Sequence, residues 1–148
     1  MNLSDNVTLK EFIFSATAIR KGIYNGMNAV ETKRAIDLCV NCFEPIRKKV
    51  DKPIKINSGF RCQQLNKIIG GSSGTSQHCK GEAMDLDIQN RKIFDWIIDN
   101  IKFDQLIYEY GDDDAPDWIH ISFRAEKNRK QVIRTNKTGG YMLYKRKY

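Results

Sequence analysis

Apolar residues recur along the chain at two spacings, one typical of helices and one typical of strands. Between Glu31 and Val50 they recur at every third or fourth position, which is the spacing of one helical face. Pro45 falls inside this pattern, so we expect a kink or a new helical start there. A capping box, Thr8 followed by Glu11, indicates another helix start. The first third of the chain is therefore predicted to be mainly helical.

The rest of the chain changes to patterns typical of strands separated by helices and loops. Alternation of apolar and polar residues predicts strands at residues 53–58, 83–88, 103–110 and 118–123. Helical spacing predicts helices at residues 62–69 and 91–101, and a run of Gly and Ser predicts a loop at residues 70–76. Because helices come first and strands later, we predict an α+β fold with N-terminal helices packed on a small, mainly antiparallel sheet.

Two of the predicted strands carry chemically active side chains opposite their apolar faces. Asp85 alternates with apolar residues in one strand, and His120 does the same in another. His78 precedes the first of these strands. If the two strands are neighbours, His78, Asp85 and His120 can converge. Two imidazoles and one carboxylate suit a single zinc ion with an open fourth position for water, as in catalytic zinc sites.

A hydrolytic zinc site also needs a base near the attacking water. Asp117 lies three residues before His120, and we assign it this role. Glu109 is a competing base, because it ends the preceding predicted strand beside the same acidic loop. The three aspartates at 112–114 are interpreted as a solvated turn.

Length, composition and cysteine content further limit the class of protein and the state of its thiols. The chain has 148 residues, 41% hydrophobic and 29% charged, which predicts one globular domain over residues 1–148. No stretch is apolar enough to span a bilayer, and no secretory signal is apparent, so we expect synthesis in the cytoplasm. The four cysteines are Cys39, Cys42, Cys62 and Cys79. We favour buried, reduced cysteines over disulfides or a structural zinc site.

The positive charge is concentrated near the C-terminus. The formal net charge is +7, and residues 124–148 contain nine basic residues and one acidic residue. We interpret this segment as a basic tail, either a solvated face or a site for a polyanion such as nucleic acid, an anionic membrane or an acidic wall polymer. Nucleic acid is the least favoured of these partners, because the remaining sequence lacks aromatic residues interleaved on a basic face.

Two motifs resemble those of a known family. Residues 76–85 read Ser-Gln-His-Cys-Lys-Gly-Glu-Ala-Met-Asp and fit the pattern Ser-x-His-x-x-Gly-x-Ala-x-Asp, and residues 117–120 place an acid three residues before a histidine. At these motifs the chain resembles peptidase family M15, which comprises zinc D-Ala-D-Ala carboxypeptidases and L-Ala-D-Glu endopeptidases. Segments 44–47, 58–61 and 70–72 are similar to its phage-type and bacterial branch. The resemblance extends over about residues 8–122.

The resemblance implies a fold like that of the hedgehog domain and the DD-peptidases, and a role for each matching residue. His78, Asp85 and His120 would be the zinc ligands, and Asp117 the general base. Arg61 would bind the substrate carboxylate or the developing oxyanion. The residues assigned to substrate binding are Arg61, Ser76, Gln77 and Trp118.

The resemblance also implies an activity and its partners. The expected reaction is hydrolysis of a peptide bond in the stem peptides of peptidoglycan, at the cell wall or in the periplasm, and phage lysis is one context for it. The basic tail would hold a monomeric enzyme on an anionic wall polymer, with no nucleic acid partner. The alternative is a non-catalytic, zinc-containing wall-binding module on the same fold. The sequence leaves open which bond is cleaved, and whether the protein acts as a carboxypeptidase or an endopeptidase.

Overall fold

The computed structural model describes residues 1–70 and 74–146, and within them helices precede most of the strands. The helices are α1 (Leu9–Ile13), α2 (Ala16–Lys21), α3 (Ala29–Leu38), α4 (Glu44–Val50), α5 (Gln63–Ile69) and α6 (Arg91–Asn100). The strands are β1 (Asn2–Ser4), β2 (Val7–Thr8), β3 (Ile56–Ser58), β4 (Ala83–Leu86), β5 (Gln105–Glu109), β6 (Trp118–Ser122), β7 (Gln131–Thr135) and β8 (Tyr141–Leu143). The predicted α+β class is confirmed. Residues 71–73 of the predicted loop and residues 147–148 lie outside the described residues.

Two local predictions about helix boundaries are confirmed. The Thr8 hydroxyl accepts a hydrogen bond from the Glu11 backbone, and the Glu11 carboxylate accepts one from the Thr8 backbone, which completes the capping box of α1. The helical region around Pro45 is also interrupted, by a π-helical turn at Cys39–Phe43 between α3 and α4. Pro45 is tolerated because it lies in the first turn of α4, where a backbone N–H is not required.

Six strands form the main sheet in the order β3-β4-β6-β5-β7-β8, and β1 and β2 form a separate hairpin. Pairing within the main sheet is antiparallel except between β5 and β7, which are parallel. The register places Asp85 opposite His120, and His120 opposite Ile107. β4 and β6 are therefore neighbours, as convergence of the site residues requires.

One face of the sheet forms the core. Met84, Leu86, Ile119 and Ile121 alternate with the polar residues of β4 and β6 and are fully buried in one cluster. The helices α3 and α6 contribute residues to the same cluster. The polar residues of these strands consequently lie on the other face, where the candidate site is found.

The cysteines are distributed as the sequence analysis expected, with one partial exception. Cys39, Cys42 and Cys79 are buried, Cys62 is partly exposed, and all four are free thiols. Burial raises the pKa of Cys39 to about 12 and raises the pKa of Cys42 further. Such thiols remain protonated at neutral pH and act as small apolar groups.

The structure differs from the prediction at the C-terminal segment. Residues 131–135 and 141–143 form β7 and β8, so the segment extends the sheet and is not a tail. Three of its arginines pair with acidic residues of earlier elements: Arg129 with Asp104, Arg134 with Asp113, and Arg146 with Asp99. Three of the nine basic side chains of this segment are thus paired within the fold.

The lengths and compositions of the helices bear on membrane insertion. Within the described part of the chain, every helix is too short or too polar to cross a lipid bilayer.

Candidate metal centre

The sheet and one short turn bring two imidazoles and a carboxylate together. Asp85 on β4 faces His120 on β6, and His78 enters from a 3₁₀ turn at Gln77–Lys80. Asp85 Oδ1 lies 3.0 Å from His120 Nδ1 and 3.5 Å from His78 Nε2. One potential ligand atom from each residue lies within 4.8 Å of the others. The structure therefore brings together the three residues that the sequence assigned to zinc.

These distances fit a tetrahedral metal ion. Zinc bonds to nitrogen and oxygen are about 2.0–2.2 Å long, so two ligands on a tetrahedron lie about 3.3–3.6 Å apart. The observed separations of 3.0 and 3.5 Å are close to this range. His78 Nδ1 donates a hydrogen bond to the Gly59 carbonyl at 2.7 Å, which fixes the tautomer and leaves the Nε2 lone pair facing the cluster. The donor set and its geometry fit zinc.

The electrostatics of the cluster favour the protonation states that a metal requires. Burial would raise the pKa of Asp85, but its interactions with His78 and His120 outweigh this and hold the pKa well below the usual range. Burial lowers the pKa of His78, despite the neighbouring Asp85. Asp85 is therefore ionised and His78 neutral at pH 7, and these are the ligating forms.

A buried asparagine fixes the loop that supports His78. Asn25 Nδ2 donates to the carbonyls of Ile13 and Phe60, and Asn25 Oδ1 accepts from the backbone of Cys62 at 2.7 Å. These bonds hold the backbone on both sides of Arg61. Sequence reasoning missed Asn25, because no local pattern distinguishes it from an ordinary loop asparagine.

The substitution Gly59→Ala is expected to loosen this support. A Cβ atom at Gly59 would clash with the backbone carbonyl oxygen of Phe12, so the backbone would have to move. We expect the free energy of unfolding, measured by urea denaturation, to fall by about 1–3 kcal/mol. Metal affinity should fall about 10- to 100-fold because the partner of His78 is displaced.

Gly74→Ala is the matched control, since its added Cβ would come no closer than 3.9 Å to any neighbour among the described residues. Unchanged metal affinity in Gly59→Ala would contradict a supporting role for this loop.

A cavity of about 750 Å³ opens over the cluster. Its walls include all four residues predicted to bind substrate: Arg61, Ser76, Gln77 and Trp118. Arg61 Nε is buried and has no hydrogen-bond partner within the described residues, so this donor is available to a ligand. The Gln77 amide nitrogen instead donates to Asp104 and Glu82, which fixes this side chain within the protein.

The structure does not bring Asp117 to the cavity. Asp117 is exposed and is absent from the cavity lining. It immediately precedes β6, and by strand alternation its side chain belongs to the face of Ile119, whereas His120 lies on the other face. Glu109, the competing candidate, is buried and lines the cavity. The placement of Asp117 follows from strand alternation, since a spacing of three residues on an extended strand places two side chains on opposite faces.

The environment of Glu109 is consistent with a proton acceptor. Its Oε2 accepts a hydrogen bond of 2.6 Å from the Thr135 hydroxyl. Burial raises the pKa of Glu109. This hydrogen bond and the interaction with His120 offset only part of the increase. A carboxylate whose pKa is shifted toward neutrality is better matched to general-base catalysis near pH 7.

Several residues near the cavity were not predicted. Arg129 and Tyr141 line it from the C-terminal segment, and Tyr110 packs its ring 5.4 Å from that of Trp118. Arg129 and Tyr141 were missed because the segment was interpreted as a tail. No spacing signal along the chain would have found them.

Comparison with known proteins identifies the family. A search of curated proteins finds no significant match. The model of the family described as Peptidase M15 matches residues 5–122, which is most of the chain and includes the His-Asp-His cluster, Arg61 and Glu109. β7 and β8 lie beyond the matched region. The chain therefore belongs to the peptidase M15 family.

Proposed function

We propose that this protein is a zinc-dependent peptidase that hydrolyses a peptide bond in bacterial peptidoglycan. The observation that carries the proposal is the convergence of His78, Asp85 and His120 at a cavity that also contains a buried carboxylate and an arginine. Membership of a peptidase family supports the reaction class. The motif resemblance at residues 76–85 supports the peptidoglycan substrate.

The three residues of the cluster would hold the zinc ion. When bound, zinc supplies Lewis-acid polarisation of a carbonyl and makes a water molecule easier to deprotonate. Glu109 then accepts the proton of the attacking water as the new C–O bond forms. The same carboxyl group returns the proton to the leaving amine as the C–N bond breaks. Asp117, exposed and outside the cavity lining, is poorly placed for either transfer.

Arg61 would bind the negative charge of the substrate. It extends from the loop that Asn25 fixes, and it lines the cavity. Stem peptides of peptidoglycan carry free carboxylates, and a guanidinium group pairs well with a carboxylate or a developing oxyanion. The same arginine serves a carboxypeptidase or an endopeptidase, depending on which carboxylate it binds.

Mass spectrometry of digested peptidoglycan tests this proposal. Zinc-loaded protein should release new amino termini from purified sacculi, and the masses identify the bond. Free D-Ala would indicate a carboxypeptidase, whereas separated L-Ala and D-Glu ends would indicate an endopeptidase. Protein stripped of metal should be inactive and should recover on addition of zinc.

Two other results would count against the proposal. If no products are released from sacculi of several peptide types, the assignment of peptidase activity is overturned. Tight binding to sacculi without hydrolysis would favour the wall-binding module.

The C-terminal segment would contribute to wall attachment. Arg124, Lys127, Lys137 and Lys145 form no ion pair within the described residues, in contrast to the three arginines paired in the fold. These four cations are available to an anionic wall polymer, which would place the protein at the wall or in the periplasm.

A further inference from the structure

The C-terminal strand β7 contacts the candidate base directly. β7 runs parallel to β5, with Arg134 paired to Tyr108, so Thr135 lies beside Glu109 at the ends of the two strands. The Thr135 hydroxyl donates a 2.6 Å hydrogen bond to Glu109 Oε2. Both residues are buried, with exposed fractions of 4% for Thr135 and 9% for Glu109. A residue outside the matched region thus contacts the cavity carboxylate.

Within the described residues, Thr135 is the one group that donates a hydrogen bond to the Glu109 carboxylate. The bond engages Oε2 and leaves Oε1 as the oxygen able to accept a proton. Without it, the carboxylate would lose its orienting partner and could rotate about its terminal bond. A catalytic group held in one orientation avoids the cost of being ordered in the transition state.

Thr135 is itself fixed by the strands around it. Its backbone pairs with Tyr141 on β8, and the preceding Arg134 forms a 2.7 Å ion pair with Asp113 in the loop between β5 and β6. Arg134 also lies over the Tyr108 ring, at 4.7 Å from its centroid. These contacts tie the end of β7 to the loop that follows Glu109.

We propose that Thr135 is a positioning residue, which holds Glu109 in the orientation that accepts the proton of the attacking water. The inference rests on the proposed function, because it requires Glu109 to act as the base. It extends the working site beyond the family match into the C-terminal strands. In this proposal, β7 and β8 extend the sheet and also orient the catalytic carboxylate.

Steady-state kinetics on a peptidoglycan fragment tests the inference. Thr135→Val keeps the shape of the side chain and removes the hydroxyl, and it should lower kcat about 10- to 100-fold with KM changed less than about twofold. Thr135→Ser restores the hydroxyl and should recover most of kcat. Thr138→Val is the matched control, because its hydroxyl bonds to Asn136 in an exposed turn. Metal content and thermal midpoint are measured on each variant, and one zinc ion should be retained in all of them.

A double-mutant cycle identifies the route of the effect. If Thr135 acts through Glu109, then Thr135→Val should cost less than about twofold in a Glu109→Gln background. An equal loss in both backgrounds would overturn the inference, as would wild-type kcat in Thr135→Val. If Thr135→Val folds poorly, the Thr135→Ser variant decides the question. A Thr135→Ser protein with a wild-type thermal midpoint but without recovered kcat would overturn the inference.

The same variants distinguish failure of this inference from failure of the base assignment in the proposed function. An inactive Glu109→Gln beside a fully active Thr135→Val removes only the positioning role. A fully active Glu109→Gln removes the base assignment itself.

Discussion

Replacement of His78 or Asp85 by Ala is expected to abolish metal binding and peptidase activity together. Each substitution removes one of three potential ligand atoms that lie within 4.8 Å of one another. Loss of a direct ligand should weaken zinc binding by more than the ~10- to 100-fold typical of a group that only supports a ligand. Elemental analysis of the purified protein should find one zinc ion per chain in the wild type and little in either variant.

Asp87→Ala is the control for this experiment. Asp87 lies two residues from Asp85 but is exposed and hydrogen-bonded to Gln89, so its removal should leave zinc content and activity unchanged. Full zinc occupancy in both His78→Ala and Asp85→Ala would show that the ion is held elsewhere. Loss of zinc from Asp87→Ala as well would indicate a general effect of charge on this part of the sheet.

The second large effect is expected from Glu109→Gln. The amide is nearly isosteric with the carboxylate and can still accept a hydrogen bond from Thr135, but it cannot take the proton of the attacking water. Loss of a general base lowers the rate by about 10²- to 10⁴-fold. We therefore expect at least a ~100-fold fall in kcat with zinc binding unchanged. The assay is hydrolysis of a peptidoglycan fragment at saturating zinc, so that weaker metal binding is not mistaken for lost chemistry.

Asp117→Asn distinguishes the two candidate bases. Because Asp117 is exposed and outside the cavity lining, this variant should keep nearly wild-type turnover. The opposite pattern, with Asp117→Asn inactive and Glu109→Gln active, would restore the assignment made from the spacing to His120. Substantial activity in both variants would mean that neither carboxylate is the base.

Local sequence patterns predicted the parts of the fold that depend on near neighbours. The capping box at Thr8 and the break at Pro45 are determined within one or two helical turns, so they could be read from the sequence alone. The alternation around Asp85 and His120 likewise fixed which side chains share the polar face. That these two faces form one site also required the strands to be adjacent, which the alternation itself does not determine.

The features that sequence reasoning missed depend on distant pairing. Glu109 contacts Thr135 across 26 residues, and Asn25 contacts Phe60 across 35 residues. Neither pair leaves a periodic signal. The charge of residues 124–148 suggested a tail, because the sequence does not show that Asp104, Asp113 and Asp99 neutralise three of its arginines. Asp117 was predicted as the base from its spacing to His120, whereas strand alternation places the two side chains on opposite faces.

The position of β7 also determines where the folding unit ends. β7 covers one side of β5, and Tyr144 beyond β8 stacks on Tyr108 and packs against Phe94. A chain truncated at residue 122, where the family match stops, would leave β5 as an exposed edge with unpaired backbone groups and an uncovered aromatic surface. Such edges recruit strands from other molecules, so the shortened protein would be prone to self-association. The region of this chain that matches the family is therefore smaller than its folding unit.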